Sequence, residues 1–292
     1  MTRALYRDLD QAGIDSQLNL RARWPDHEDY LTRWARDSAA ARASLDCGLD
    51  LAYGPTAGQT LDLFPAPGAP PAPLLAFIHG GYWQSLDKGD FSYLAPPFVA
   101  AGISFASINY DLAPGVGVTE IVAQIRRALA WLARNAPAHG FDPGRIFLAG
   151  HSAGGHLAMI AAATDWAAHG ADLADDLVKG TCSVSGVYDL TPIRLSYQQP
   201  VLRLSVDEVA DLSPLTNVPA RAGPLVCAVG GDETAEFIRQ QEALLAAWRA
   251  RGLEARAVAL PGRHHFSAVD ALGEPDHALF AAVRAMVLNR PV

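Results

Sequence analysis

The amino-acid sequence predicts an α/β fold: a mostly parallel central sheet with helices on both faces and a small cap. Three observations carry this expectation. Short apolar runs alternate with amphipathic stretches along most of the chain, as strand–helix units do. Several of those runs are continuously apolar, the pattern of strands buried on both faces. The chain has 292 residues, half of them apolar, which suffices for one large core.

Residues 1 to about 50 are polar and helical in character, with Trp24, Pro25, Leu31 and Trp34 as scattered anchors. They read as an N-terminal arm over a single domain spanning 1–292, because their apolar content is too small for a separate core. Leu61-Asp62-Leu63-Phe64 alternates like a half-buried strand, and Pro65 to Pro73 reads as a turn. Leu74-Leu75-Ala76-Phe77-Ile78 and Ile103 to Asn109 follow as strands. Thr119 to Asn135 repeats at helix spacing, with Ile121, Ile125, Leu129 and Leu132 on one face. Asp142-Pro143-Gly144 breaks the chain before a short strand at Arg145 to Ala149. A helix from His156 to Ala168 and strands at Thr181 to Val187 and Leu225 to Val229 come next. A helix from about Thr234 to Arg251, a strand at Ala255 to Leu260 and a helix from Asp276 to Leu288 complete the series. Residues 189 to about 217 have no period and read as a cap or lid over the carboxyl ends of the strands, where such folds place their sites.

Composition narrows the partners. A net charge of −8 repels a polyanion, so no nucleic acid is expected. The three cysteines, Cys47, Cys182 and Cys227, show no metal-ligand spacing and no disulfide framework, which fits a reducing cytoplasm. The stretch MTRALYRDLDQ is charged where a signal peptide is apolar, and no segment approaches ~20 apolar residues, so no membrane association is expected.

Gly150-His151-Ser152-Ala153-Gly154 directly follows an expected strand and opens an expected helix. The glycines permit a sharp turn that pushes the Ser152 hydroxyl into the open, and the helix start behind it favours developing negative charge. Ser152 is therefore the expected nucleophile. His79-Gly80-Gly81 ends an upstream strand, where backbone N–H groups can face an oxyanion. The expected donors are the amides of Gly80, Gly81 and Ala153. A serine needs a base, and the base needs an orienting carboxylate. In the order Ser, acid, His, the acids available after the Leu225 strand are Asp232 and Glu233, and the bases after the last strand are His264 and His265. His151 and His156 sit too close to Ser152 in sequence to act as that base. His79 reads as a residue that orients the oxyanion loop, and His27, His139, His169 and His277 as surface residues.

The segments His79-Gly80-Gly81-Tyr82-Trp83-Gln84, Asn109-Tyr110-Asp111-Leu112-Ala113-Pro114 and Gly150-His151-Ser152-Ala153-Gly154-Gly155-His156-Leu157 resemble the arylformamidase (kynurenine formamidase) branch of the α/β-hydrolases and its bacterial esterase-like relatives. Ser185-Gly186-Val187-Tyr188-Asp189-Leu190, the run from Glu233 to Gln240 and His265-Phe266 extend the resemblance, which spans about residues 10 to 280. It implies hydrolysis of N-formyl-kynurenine, related aryl formamides or small esters, without metal or organic cofactor. The family's catalytic histidine precedes a phenylalanine, which favours His265. Its acid is an aspartate ahead of Ser or Thr and then commonly Pro-Glu-Phe. Glu233 holds that place here, followed by Thr234-Ala235-Glu236-Phe237, with Asp232 as the alternative acid, or else a helix cap or solvated turn residue. Tyr82 and Trp83 are the candidate walls for an aromatic acyl amide or ester. A general carboxylesterase is the alternative activity, and a non-catalytic binding protein on the same fold the remote one.

Overall fold

A computed structural model of the chain describes residues 4–68 and 71–289. The middle of the expected 65–73 turn, Ala69 and Pro70, lies outside them, as do the first three residues of the charged N-terminal stretch.

The arm holds three helices: α1 (Gln11–Leu18), α2 (Leu20–Arg23) and α3 (His27–Ser44). Of its expected anchors, Trp34 is wholly buried, Trp24 and Leu31 are half-buried, and Pro25 is exposed. A first strand, β1 (Gly48–Ala52), follows where the sequence suggested only helical arm. It is a largely exposed edge strand, so it carries no buried apolar run. β2 (Thr60–Phe64) pairs with it antiparallel. Then come β3 (Ala72–Ile78), α4 (Ala95–Ala100), β4 (Ser104–Ile108), α5 (Val118–Asn135), β5 (Phe141–His151), α6 (Ala153–Ala162) and β6 (Val178–Val184). Three short helices, α7 (Thr191–Leu195), α8 (Gln199–Leu202) and α9 (Val206–Leu212), fill the segment that had no period. The chain continues through β7 (Leu225–Gly230), α10 (Ala235–Ala250), β8 (Ala255–Leu260), α11 (His265–Ala268) and α12 (Ala278–Leu288).

The strands form one eight-stranded sheet in the order β1-β2-β4-β3-β5-β6-β7-β8. Only the pairings of β2 are antiparallel; β4 through β8 run parallel. Leu74 to Ile78 are wholly buried, as a central strand with both faces covered requires. On α5, Ile121, Ile125, Leu129 and Leu132 are all buried. At roughly 1.5–3 kcal/mol for each such side chain, this face outweighs intrinsic propensity in holding the helix.

Several expected boundaries move; the strand expected at Thr181 to Val187 runs Val178–Val184 as β6, and β3 starts inside the expected 65–73 turn. Asp142-Pro143-Gly144 does not end a strand. Ala72 pairs with Phe141 and Leu74 with Ile146, so these residues loop out as a bulge within β5, where proline's missing N–H costs no ladder bond. Helix α6 stops at Ala162 instead of reaching Ala168. Just beyond it, Thr164 turns its hydroxyl back onto the Ile160 carbonyl and also meets Arg126, which directs the chain away. Cys182 and Cys227 are buried inside the sheet as small apolar groups, and burial pushes the Cys227 thiol up to about 12. Among the described residues no helix is long and apolar enough to cross a membrane.

Candidate active site

The parallel strands deliver their carboxyl ends to one edge of the sheet, and every expected site residue lies just beyond such an end. Gly80 and Gly81 follow β3, Ser152 follows β5, Glu233 follows β7 and His265 follows β8. This is the edge where open α/β sheets bind ligands.

Ser152 occupies the turn between β5 and α6 with φ 56° and ψ −120°, a conformation that costs a non-glycine residue on the order of 1–3 kcal/mol. The surroundings hold it there. Its amide donates to the Val184 carbonyl (2.9 Å). Gly154 lets α6 lie against β3, since a Cβ at that position would overlap the carbonyl of Ile78. Gly80 is pressed against Ser152 in the same way: a Cβ there would lie 3.0 Å from the Cβ of Ser152 and 2.8 Å from the His151 carbonyl. The His79-Gly80-Gly81 loop thus reaches Ser152 because glycine removes the obstacle.

The loop is rigidly tied. Gly81 has φ 107°, and its carbonyl accepts from the amides of Gln84 (3.0 Å) and Ser85 (3.1 Å). His79 is wholly buried, bridges the Gly80 carbonyl (2.8 Å) and Asn109 Oδ1 (2.9 Å), and stacks on Tyr110 at 4.3 Å. The amides of Gly80, Gly81 and Ala153 meet no acceptor among the described residues. They remain available to an oxygen bound beside Ser152.

The geometry separates the adjacent acids and the adjacent histidines. Glu233 is buried and its Oε2 lies 2.8 Å from His265 Nδ1. Its other oxygen accepts from the Gly230 amide (3.0 Å) and from the Ser185 hydroxyl. Asp232 is exposed in the turn; it is not the helix cap, since α10 begins three residues later, at Ala235, with Thr234 in the cap position. His264 turns the other way. It stacks on Trp24, meets Asp26 at 3.4 Å, and caps α11 by accepting from the Phe266 amide. His265 and Ser152 line the same cavity, of about 360 Å³.

Tyr82 also lines this cavity, with its hydroxyl donated to the Leu18 carbonyl of the arm (2.7 Å). Trp83 does not, which corrects the expectation of a second aromatic wall there. Its ring is wholly buried and packs edge-on against His156 at 5.1 Å. Consecutive positive φ values at Gly81, Tyr82 and Trp83 turn the indole inward. Further walls come from residues that no motif marked, Leu20, Leu31 and Trp34 of the arm and Tyr197 and Gln198 of the cap segment, and from Phe266 of the His265-Phe266 pair. Ser185, behind Glu233, was likewise unmarked as a functional residue; only its place just after β6 could have suggested it.

Two buried histidines flank Ser152. His151 gives Nε2 to the His265 carbonyl (2.9 Å), so its Nδ1 carries no proton. Burial and the nearby His265 hold its pKa well below the usual value. His156 donates Nε2 to the Leu212 carbonyl (2.7 Å), and burial lowers it from 6.5 to about 4. The unfolded chain therefore binds a proton below pH 6.5 that the folded chain takes up only near pH 4. Stability from His156 is fully present above pH 6.5 and is lost as pH falls, by about 1.4 kcal/mol per unit. His79 and His151, lowered mainly by burial, slope the same way. Urea unfolding at pH 7 and pH 5 should show this loss, and His156→Gln should flatten the slope by about one proton. An unchanged slope in that variant would disprove the account.

A strained serine elbow, a Gly-Gly loop beside it and a buried carboxylate–histidine pair on one parallel sheet define a hydrolase of the α/β class. The chain belongs to the BD-FAE family, whose model matches residues 61–230. That span holds the Gly80-Gly81 loop and Ser152 and ends before Glu233 and His265. The chain is 31% identical over 258 residues to the kynurenine formamidase of Danio rerio, covering 85% of this chain and 84% of that protein. It is 32% identical over 236 residues to Esterase LipQ of Mycobacterium tuberculosis, covering 74% of this chain and 56% of that protein. Among solved structures, it matches a candidate thioesterase of Silicibacter sp. tm1040 with a TM-score of 0.82 at 30% identity, over 92% of this chain and 97% of that one.

Proposed function

We propose that this hydrolase cleaves small acyl amides and esters of aromatic leaving groups through an acyl-enzyme on Ser152, with aryl formamides such as N-formyl-kynurenine as its best substrates. The observation that carries the reading is that Ser152 and His265 line one cavity with aromatic walls, His265 being bonded from behind by the buried Glu233. Glu233 accepts a hydrogen bond from the Nδ1–H of His265, which keeps the ring proton on Nδ1 and leaves Nε2 free to take the Ser152 proton. Ser152 attacks the acyl carbonyl, and the oxygen gathers charge against the amides of Gly80, Gly81 and Ala153. His265 returns the proton to the leaving nitrogen or oxygen, and water then releases the acyl group by the same steps. Tyr82, Tyr197 and Phe266 offer flat faces to an aryl leaving group.

The relative named kynurenine formamidase supports the formamide, and the relative named Esterase LipQ favours a second reading, a carboxylesterase of small acyl esters. A comparison of kcat/KM for N-formyl-kynurenine with that for short p-nitrophenyl esters separates them. The formamide is expected to match or exceed the esters despite its poorer leaving group. Formamide turnover far below ester turnover would leave the carboxylesterase reading standing.

A further inference from the structure

Among the described residues, Arg21 is the one Lys, Arg, Asp or Glu that lines the cavity containing Ser152. It stands on α2 of the arm, exposed at the rim. Its Nη2 donates to the Ser85 hydroxyl (3.0 Å), which in turn donates to the Gly81 carbonyl of the oxyanion loop (3.1 Å). No carboxylate pairs with it among the described residues, whereas Arg33, Arg134, Arg239 and Arg263 each hold one. A guanidinium carries five N–H donors in a planar fork, and the Ser85 contact uses one. The rest of the lining is neutral or apolar in character, with Asn19 and Gln84 close in sequence to Arg21 and Ser85. The whole chain carries a charge of −8, so an anionic ligand is repelled in general and needs a local cation to be received.

From this placement we infer that Arg21 is a carboxylate-binding residue that selects acyl amides and esters whose leaving group carries a carboxylate. The inference rests on the proposed formamidase reading in one respect. With a one-carbon acyl group, the leaving part fills the cavity and brings its own charge to the rim. The guanidinium fork then takes the carboxylate oxygens side by side, which a lysine ammonium matches in charge but not in shape.

The test compares the wild type with Arg21→Ala and Arg21→Lys on two substrate pairs. One pair is 3-acetoxybenzoate and its methyl ester; the other is N-formyl-kynurenine and its carboxamide. The readout is the ratio of kcat/KM, the carboxylate-bearing substrate over its ester or amide partner. Arg21→Ala should lower both ratios about tenfold, mainly through KM, the size of a charged hydrogen bond discounted for exposure. Arg21→Lys should retain an intermediate ratio. Added salt should lower the wild-type ratio and move that of Arg21→Ala much less. Equal ratios in wild type and Arg21→Ala would overturn the assignment. If the wild type leaves N-formyl-kynurenine intact while the acetoxybenzoate ratio falls in Arg21→Ala, the carboxylate subsite stands and the formamidase reading falls. If the formamide is cleaved and neither ratio moves, the reverse holds.

Discussion

Glu233→Gln is expected to lower kcat by about 10⁴, while Asp232→Asn stays within about twofold of the wild type. The asymmetry follows from hydrogen-bond polarity. Glu233 Oε1 is held by two donors, the Gly230 amide and the Ser185 hydroxyl, and Oε2 faces His265 Nδ1 at 2.8 Å. An amide keeps its oxygen where the two donors are and turns its NH₂ toward His265. Nδ1 must then accept, the ring proton moves to Nε2, and the ring can no longer take the Ser152 proton. Asp232 is exposed in the turn, with no side-chain partner among the described residues, so Asn there changes nothing the reaction uses. Steady-state kinetics on one formamide and one ester measure both variants. Loss confined to Asp232→Asn would reverse the assignment of the acid.

Ser152→Ala is expected to abolish turnover, by on the order of 10⁶ in kcat, and to remove labelling by a fluorophosphonate probe. The hydroxyl is the only side-chain group in the proposed mechanism that forms a covalent bond to the acyl carbon. The Glu233–His265 pair would remain in Ser152→Ala but would have no proton to take. Labelled wild-type protein should carry the probe mass on the peptide containing Ser152, and the variant none. Labelling on any other serine would place the nucleophile elsewhere.

Much of the sheet was legible because its strands are buried on both faces. Leu74 to Ile78 must then be apolar throughout, and they are. β1 was not, because an exposed edge strand reading Gly-Leu-Asp-Leu-Ala is held by backbone pairing with β2 and not by a buried face. The Asp142-Pro143-Gly144 signal was genuine turn chemistry, but a bulge and a chain break use the same residues. In the site, the order of serine, acid and histidine followed from which strand ends carry them. Side-chain direction did not follow. Glu233 and Asp232, like His265 and His264, are neighbours pointing opposite ways, and only the resemblance to a known family favoured one of each. Trp83 failed for the same reason: a position beside the oxyanion loop says nothing about whether a ring faces the cavity or the core. Tyr197 and Gln198 reach the cavity by contacts between segments far apart in sequence, which no local pattern records.

The arm described with the fold gives the molecule a division of labour. The proposed bond-making parts sit just beyond strand ends fixed by a shared sheet, where a small displacement disturbs several neighbours at once. Under the proposed mechanism, the walls that meet the leaving group come in good part from residues 19–34, a tract of sequence separate from those that carry Ser152, Glu233 and His265. Selectivity can therefore drift in one tract of sequence while the reaction machinery in another stays intact. A lineage can in this way change what it consumes without rebuilding how it cuts.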